Sequence, residues 1–302
     1  MKMANDNTTS ALLKIPLHIA AFLCPILFTL AVHAETVEVK LPNGLTALAN
    51  FQAGVPTQTA LIFLHGLHQT QHSQPLSALA NNLSAKGYTL LNPTLTVSVN
   101  RRVQSMDCEA VHTQTMDQDV AEIDYWVHWL TKKGYPNIAL IGFSSTGNIQ
   151  AMLYNSLGSN STIKKTILIS MNPLLIDLQE RQSAQKILVS NHISKINKLS
   201  KYKVGYCKNN FVSTSNIYMS YAKYDAGGIL TLLTKTSANT ELIFGSADLI
   251  LPANWISQVR AVNSQVTISI IDKANHFFDG TSEFDLAAKV ETILSASKQQ
   301  RS

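Results

Sequence analysis

Ile138-Ala139-Leu140-Ile141-Gly142-Phe143-Ser144-Ser145-Thr146-Gly147 decides the fold. Residues 138–141 are a short apolar run of the kind that forms a strand buried on both faces. The chain then passes a glycine and a serine and takes helical character to about residue 157. A serine in the sharp turn between a buried strand and a helix holds its hydroxyl exposed above the sheet. Nearby glycines relieve the crowding in such a turn. Gly142 stands two before Ser144 and Gly147 three after it, while Thr146 occupies the second glycine position of a G-x-S-x-G pattern. The six letters alone recur by chance, and their place between strand and helix gives them weight. Ser145 is the rival nucleophile, because Gly147 follows it by two. Choosing it would put Phe143 where the strand must turn tightly, so Ser144 is preferred.

Outward from this turn, short β-rich runs alternate with longer amphipathic ones, which predicts an α/β fold with helices packed around a mostly parallel sheet. Residues 37–41 and 45–51 flank Pro42-Asn43-Gly44 and read as an antiparallel hairpin. A buried strand at 60–64 ends in His65-Gly66, a helix at 73–86 stops at Gly87, and a strand at 88–91 is closed by Asn92-Pro93. Residues 116–133 carry Val120, Ile123, Val127 and Leu130 at helical spacing and end at Gly134. After 144–157 comes a strand at 166–171, stopped by Asn172-Pro173. Residues 175–235 lose the alternation and turn polar and basic, which predicts an inserted cap of irregular helices. The β pattern resumes at 241–244, a helix starts near Pro252, a strand covers 266–271, and a helix closes the chain at 283–295.

Two further residues complete a chemical set with Ser144. Asp248 follows a strand in Gly245-Ser246-Ala247-Asp248, and His276 follows the next strand in Ala274-Asn275-His276-Phe277. Both sit where late parallel strands end, on the sheet edge of Ser144. A carboxylate can orient the imidazole and stabilise its charged form, while the imidazole takes the serine proton and returns it to the leaving group. Alone, Asp248 reads as a helix N-terminal residue and His276 as an ordinary loop histidine. Three such residues at successive strand ends, in the order Ser, Asp, His, are harder to explain that way. Asp272 and Asp279 flank His276 as rival acids.

These three loops resemble those of the alpha/beta-hydrolase superfamily, and His65-Gly66 resembles its loop beside the oxyanion hole. The resemblance covers roughly residues 37–297 apart from the cap. It implies an eight-stranded, mainly parallel sheet with helices on both faces, and an acyl-enzyme mechanism. It also implies oxyanion donors from the backbone N–H groups of Leu67 and Ser145. No cofactor or metal is expected. His65, His68 and His72 are the one group that suggests a metal, but their loop has no carboxylate nearby. Cys108 with Glu109 and His112 could resemble a thiol–imidazole pair, without the strand-end turn that would support it.

Composition sets the outer limits. With 302 residues, 45% of them hydrophobic and 14% charged, the chain suits one large domain and excludes a disordered one. The net charge of +5 includes no long run of one sign, so no nucleic-acid partner is expected. Seven Lys or Arg residues fall between Arg181 and Lys208; they read as solvated helix faces, with steering of an anionic partner as the alternative. Lys2 and Lys14, an apolar run at 15–32, and Val32-His33-Ala34 before Glu35 form a secretory signal pattern. The expected organisation is a signal at 1–34 and a hydrolase domain at 35–302, periplasmic or secreted. The alternative is an uncleaved anchor at 15–32, the one case in which membrane contact is expected. Export leaves Cys108 and Cys207 as a pair that either bridges or stays free. The expected function is hydrolysis of a small or lipid-like carboxylic ester, thioester or amide. The alternative is a non-catalytic, envelope-associated binding protein on the same fold.

Overall fold

The computed structural model describes residues 34–56, 58–157, 161–190, 193–236 and 239–299. The expected signal at 1–34 and the alternative anchor at 15–32 therefore lie outside the described residues, except for Ala34. Strands β1 (Glu35–Lys40) and β2 (Thr46–Gln52) form the hairpin expected around Pro42-Asn43-Gly44. Gly44 supplies the left-handed residue of its turn, at φ +86°. Next come β3 (Ala60–Leu64), α1 (Leu76–Ala85), β4 (Leu90–Thr94) and α2 (Met116–Lys132). Thr115 caps α2 reciprocally with Gln118, and the helix buries Val120, Ile123, Trp126, Val127 and Leu130 along one face. Then follow β5 (Ile138–Phe143), α3 (Ser144–Ser156) and β6 (Ile163–Ile169).

The inserted segment 175–235 contains α4 (Leu178–Val189), α5 (Ile193–Ile196), β7 (Ser200–Val204), β8 (Cys207–Ser213), α6 (Ser215–Ala222) and α7 (Ala226–Leu233). Its helices were expected, whereas the antiparallel β7–β8 hairpin corrects the expectation of helices alone. The chain ends with β9 (Thr240–Gly245), α8 (Trp255–Val262), β10 (Thr267–Ile271) and α9 (Ser282–Gln299).

Eight strands form one sheet in the order β1-β2-β4-β3-β5-β6-β9-β10, and every neighbouring pair from β4 to β10 is parallel. Alternate residues of the central strands feed two cores. Ala60, Ile62, Leu64, Ile138 and Leu140 join the side chains of α2, α3, α7 and α8 on one face. Leu61, Phe63, Ala139, Ile141 and Phe143 join those of α1 and α9 on the other. Each fully buried aliphatic side chain contributes about 1.5–3 kcal/mol of transfer free energy, so the central strands are the best-anchored part of the chain. The C-terminal ends of β5, β9 and β10 open on one edge, where ligands of parallel sheets bind.

Asn92-Pro93 does not close a strand as expected, for β4 runs through both residues and pairs them with Asn50 and Ala49 of β2. Its parallel ladder to β3 uses Leu90 and Leu91 alone, so Pro93 lies beyond it and its missing amide costs that ladder nothing.

Candidate active site

Ser144 stands at φ +59°, directly after extended Phe143 and at the start of α3. A serine in this left-handed region is strained by about 1–3 kcal/mol, and the surrounding structure must hold it there. Two glycines and an asparagine do so. A Cβ at Gly142 would lie 2.6 Å from the Gly147 carbonyl oxygen, and one at Gly147 would lie 2.2 Å from that of Leu64. The first turn of α3 is thus pressed onto the end of β3. The contact that excludes a side chain falls at 147, not at 146, and Thr146 is accommodated as a buried residue. Asn148 donates from Nδ2 to the Ser144 carbonyl and to the Ile169 carbonyl (2.7 Å), tying the turn to β6. The positive φ also separates the two serines, because Ser144 has it and Ser145, the next residue of α3, does not.

His276 and Asp248 reach this turn from the ends of the last two strands. The Asp248 Oδ2 atom accepts from His276 Nδ1 at 2.7 Å, and His276 Nε2 lies 3.0 Å from Ser144 Oγ. With Nδ1 as the donor, Nε2 is left to accept the serine proton. That proton has a second acceptor, Asn172 Oδ1 at 3.2 Å, which the sequence presented only as a strand terminator. The other oxygen of Asp248 accepts from the Ile250 amide at 2.9 Å, and the side chains of Asp248 and His276 are 0% and 4% exposed. Ser170 Oγ donates to the His276 carbonyl at 2.8 Å, and a Cβ at Gly245 would lie 2.2 Å from the Ala274 carbonyl oxygen, so the histidine loop is held on both sides. The rival acids are engaged elsewhere: Asp272 accepts from Ser246 and Asp279 from Asn275.

Leu67 and Ser145 line the same cavity as Ser144 and His276, a space of about 810 Å³. Beneath the Leu67 loop lies a buried brace that the sequence did not reveal. Arg102 donates to the carbonyls of Leu95, Gln104 and Gln69 and contacts His65 Nε2 at 3.1 Å. His65 donates from Nδ1 to the Gly66 carbonyl and accepts the Leu95 amide at Nε2, so the ring is neutral. Burial first, and the Arg102 charge second, push its pKa down to about 3. Burial also lowers Arg102 to about 10, against the fields of Asp119 and Glu122, and it remains a cation at neutral pH. Asp119, buried and bonded to Gln114 and Gln150, is pushed up to about 7, mainly by loss of water.

Cys108 and Cys207 are joined by a disulfide, with their α carbons 5.6 Å apart and the two residues 99 positions apart in sequence. It binds the start of β8 to the loop before α2. Beside it, His68 stacks on His112 with ring centroids 4.5 Å apart, and His68 Nδ1 meets the Tyr206 hydroxyl at 3.1 Å. Burial is the main cause holding His68 down to about 3. His112 Nε2 contacts the Cys108 carbonyl, not a thiol. Among the described residues, the one His, Cys or acid group spaced to hold a metal is His68 with Cys108 and Cys207, and its two sulfurs are bonded to each other.

No family model matches the chain, and neither does any curated protein. Solved structures do. The alpha/beta hydrolase GrgF from a Penicillium species is 14% identical with a TM-score of 0.66, over 88% of this chain and 99% of that one. Est1E from Butyrivibrio proteoclasticus is 14% identical with a TM-score of 0.61, over 87% and 99%. A putative lipase from Acinetobacter baumannii is 15% identical with a TM-score of 0.59, over 88% and 93%. At these identities the likeness is one of fold, and the fold is that of the alpha/beta hydrolases.

Proposed function

We propose that this chain of alpha/beta-hydrolase fold is a serine hydrolase that cleaves a carboxylic ester through an acyl-enzyme intermediate. The observation that carries the proposal is the unbroken line from Asp248 Oδ2 through His276 to Ser144 Oγ, with its reactive end in the cavity. Ser144 attacks the ester carbonyl while His276 Nε2 takes the hydroxyl proton. The Nδ1–H bond to the buried Asp248 carboxylate holds the imidazole in the tautomer that leaves Nε2 open, and stabilises it once charged. The tetrahedral oxyanion is received by the backbone N–H groups of Leu67 and Ser145, each worth a few kcal/mol in the transition state. Collapse expels the alcohol, which takes the proton from His276. Water then repeats the sequence on the acyl-serine and releases the acid.

A fluorophosphonate probe tests this directly. It is expected to modify the native protein once, on a peptide whose mass places the adduct on Ser144; a native protein that takes no label would sink the hydrolase reading. The mature enzyme is placed outside the cytoplasm, a proposal supported by the signal pattern of residues 1–34 and by the disulfide. Mass spectrometry of protein recovered from the native envelope or medium is expected to find Glu35 at its N-terminus, and intact Met1 would overturn the cleavage.

A further inference from the structure

Resting on the ester-hydrolase reading, we propose that the substrate carries an anionic group beside an apolar chain, and that Lys203 and Lys208 recognise the anion. Among the described residues lining the cavity, these two lysines are the formal charges, and neither Asp nor Glu contributes to the lining. The rest of the wall is largely apolar, with Leu67, Pro173, Leu175, Ile250, Pro252 and Phe277. An ammonium group facing an apolar wall is favoured only when an opposite charge or water meets it. Among the described residues neither lysine takes part in an ion pair. Asp107 exerts its field on the Tyr206 hydroxyl but is not part of the lining.

The two lysines sit on a fixed element. They flank the Gly205-Tyr206 turn of the β7–β8 hairpin, Lys203 half-buried and Lys208 exposed. That turn is held by the disulfide at Cys207, by the Gly205 amide on the Leu175 carbonyl (3.0 Å), and by the Tyr206 hydroxyl against His68. The two ammonium groups therefore ride on a hairpin docked beside the Leu67–His68 loop. Their surroundings reinforce them. Residues 175–235 hold nine Lys and Arg against three Asp and Glu, an excess of one sign larger than the +5 of the whole chain. The three acids are engaged internally: Asp177 accepts from the first amides of α4, Glu180 from the Lys203 amide, and Asp225 pairs with Arg181. Lys186, Lys195 and Lys198 are exposed to solvent and none of them lines the cavity, whereas Lys203 and Lys208 do. A cavity whose own charge is of one sign draws in and retains a ligand of the other.

The test compares 4-nitrophenyl esters that carry a terminal carboxylate with the same compounds capped as methyl esters. Two chain-length series are used, one bearing the carboxylate on the acyl side and one on the alcohol side. In at least one series, the wild-type protein is expected to favour the carboxylate by about tenfold or more in kcat/KM, with the preference shrinking at high salt. Lys203→Glu and Lys208→Glu should abolish that preference, the carboxylate esters losing about tenfold or more in kcat/KM relative to the capped esters. Equal turnover of carboxylate and capped ester at every length, or an equal loss for both in the variants, would overturn the inference. So would the absence of turnover in a protein whose Ser144 still takes the fluorophosphonate, and the hydrolase reading would survive. If the label also fails, the hydrolase reading falls and the inference with it.

Discussion

At the floor of the cavity, Ser144, Asp248 and His276 stand at the ends of parallel strands, where backbones approach too closely for a side chain at Gly147 or Gly245. At its roof, residues 175–235 reach the cavity through Leu175, Lys203, Tyr206, Lys208 and Asn209, side chains on or near a hairpin that is fastened by one disulfide and by the buried side chains of Tyr202, Val204 and Phe211. The floor is fixed by steric exclusion within the main core, so a shift of a few tenths of an ångström is resisted by the whole sheet. The roof buries Tyr202, Val204, Phe211 and Tyr218 in the same core, but Leu175, Lys203, Tyr206, Lys208 and Asn209 are half-buried or exposed, and this lining can change residue by residue without disturbing the strands. On the proposed reading, chemistry is stored where the chain cannot move, and selectivity where it can be rewritten.

The sharpest way to break this contrast is to remove the chemistry and leave the fold. Ser144→Ala should lower turnover by on the order of 10⁴–10⁶, and Asp248→Asn by about 10⁴, with urea midpoints close to wild type. Activity within about tenfold of wild type in Ser144→Ala would mean that the floor is not the seat of reaction. The next effect belongs to the roof. Replacing Cys108 and Cys207 together by Ala should remove about 2–5 kcal/mol of unfolding free energy, because the bridge closes a long loop. Below the unfolding transition the variant should still take the fluorophosphonate on Ser144, since no floor contact is lost. A variant that is fully folded by denaturant titration yet unlabelled would show that the roof supports the chemistry.

The last effect concerns pH and builds up gradually. His68 lies between floor and roof with its pKa near 3 in the folded protein, against 6.5 as its ordinary value. The folded chain thus binds fewer protons than the unfolded one between these values. The stability contributed by His68 is whole above about pH 6.5 and is lost as the pH falls toward 3. Asp119, raised to about 7, acts in the opposite direction over part of this range, so a difference between proteins is the proper measure. Between about pH 5.5 and 4 wild type should lose up to about 1.4 kcal/mol more than His68→Phe for each pH unit. Parallel stability curves for the two proteins would remove His68 from the account.

The same contrast governs what could be read from sequence. The strands of the floor announce themselves as apolar runs cut by glycine or by Asn-Pro, and their order alone brings Ser144, Asp248 and His276 to one edge. The brace beneath was hidden, because Arg102 follows the exposed Arg101 and nothing local marks which of the two turns inward. Asn148 and Asn172 were hidden for a related reason, as the bonds from Asn148 to Ile169 and from Ser144 to Asn172 span more than twenty positions. In the roof, β7 and β8 went unread because lysines and asparagines dominate them. A weak period of two was present all the same, since Tyr202 and Val204 are buried in β7 and Cys207, Phe211 and Ser213 in β8. The pairing of Cys108 with Cys207 depends on a distance across the fold, which spacing in sequence does not contain.

The left-handed backbone of Ser144 also bears on how such a chain can change over evolutionary time. The residues that settle most easily at φ +59° are Gly, Asn and Asp, and none of them offers an attacking hydroxyl. Threonine does offer one, but its branched Cβ makes it an outlier in that conformation. Inheritance at position 144 therefore runs downhill in one direction. On the proposed reading, a lineage can exchange its nucleophile for a conformationally comfortable residue, keep the sheet and the lysine-lined cavity, and become a receptor for the ester it once cleaved. The reverse passage is narrow, open to serine or to a thiol in its place, with the backbone strain to be accepted again.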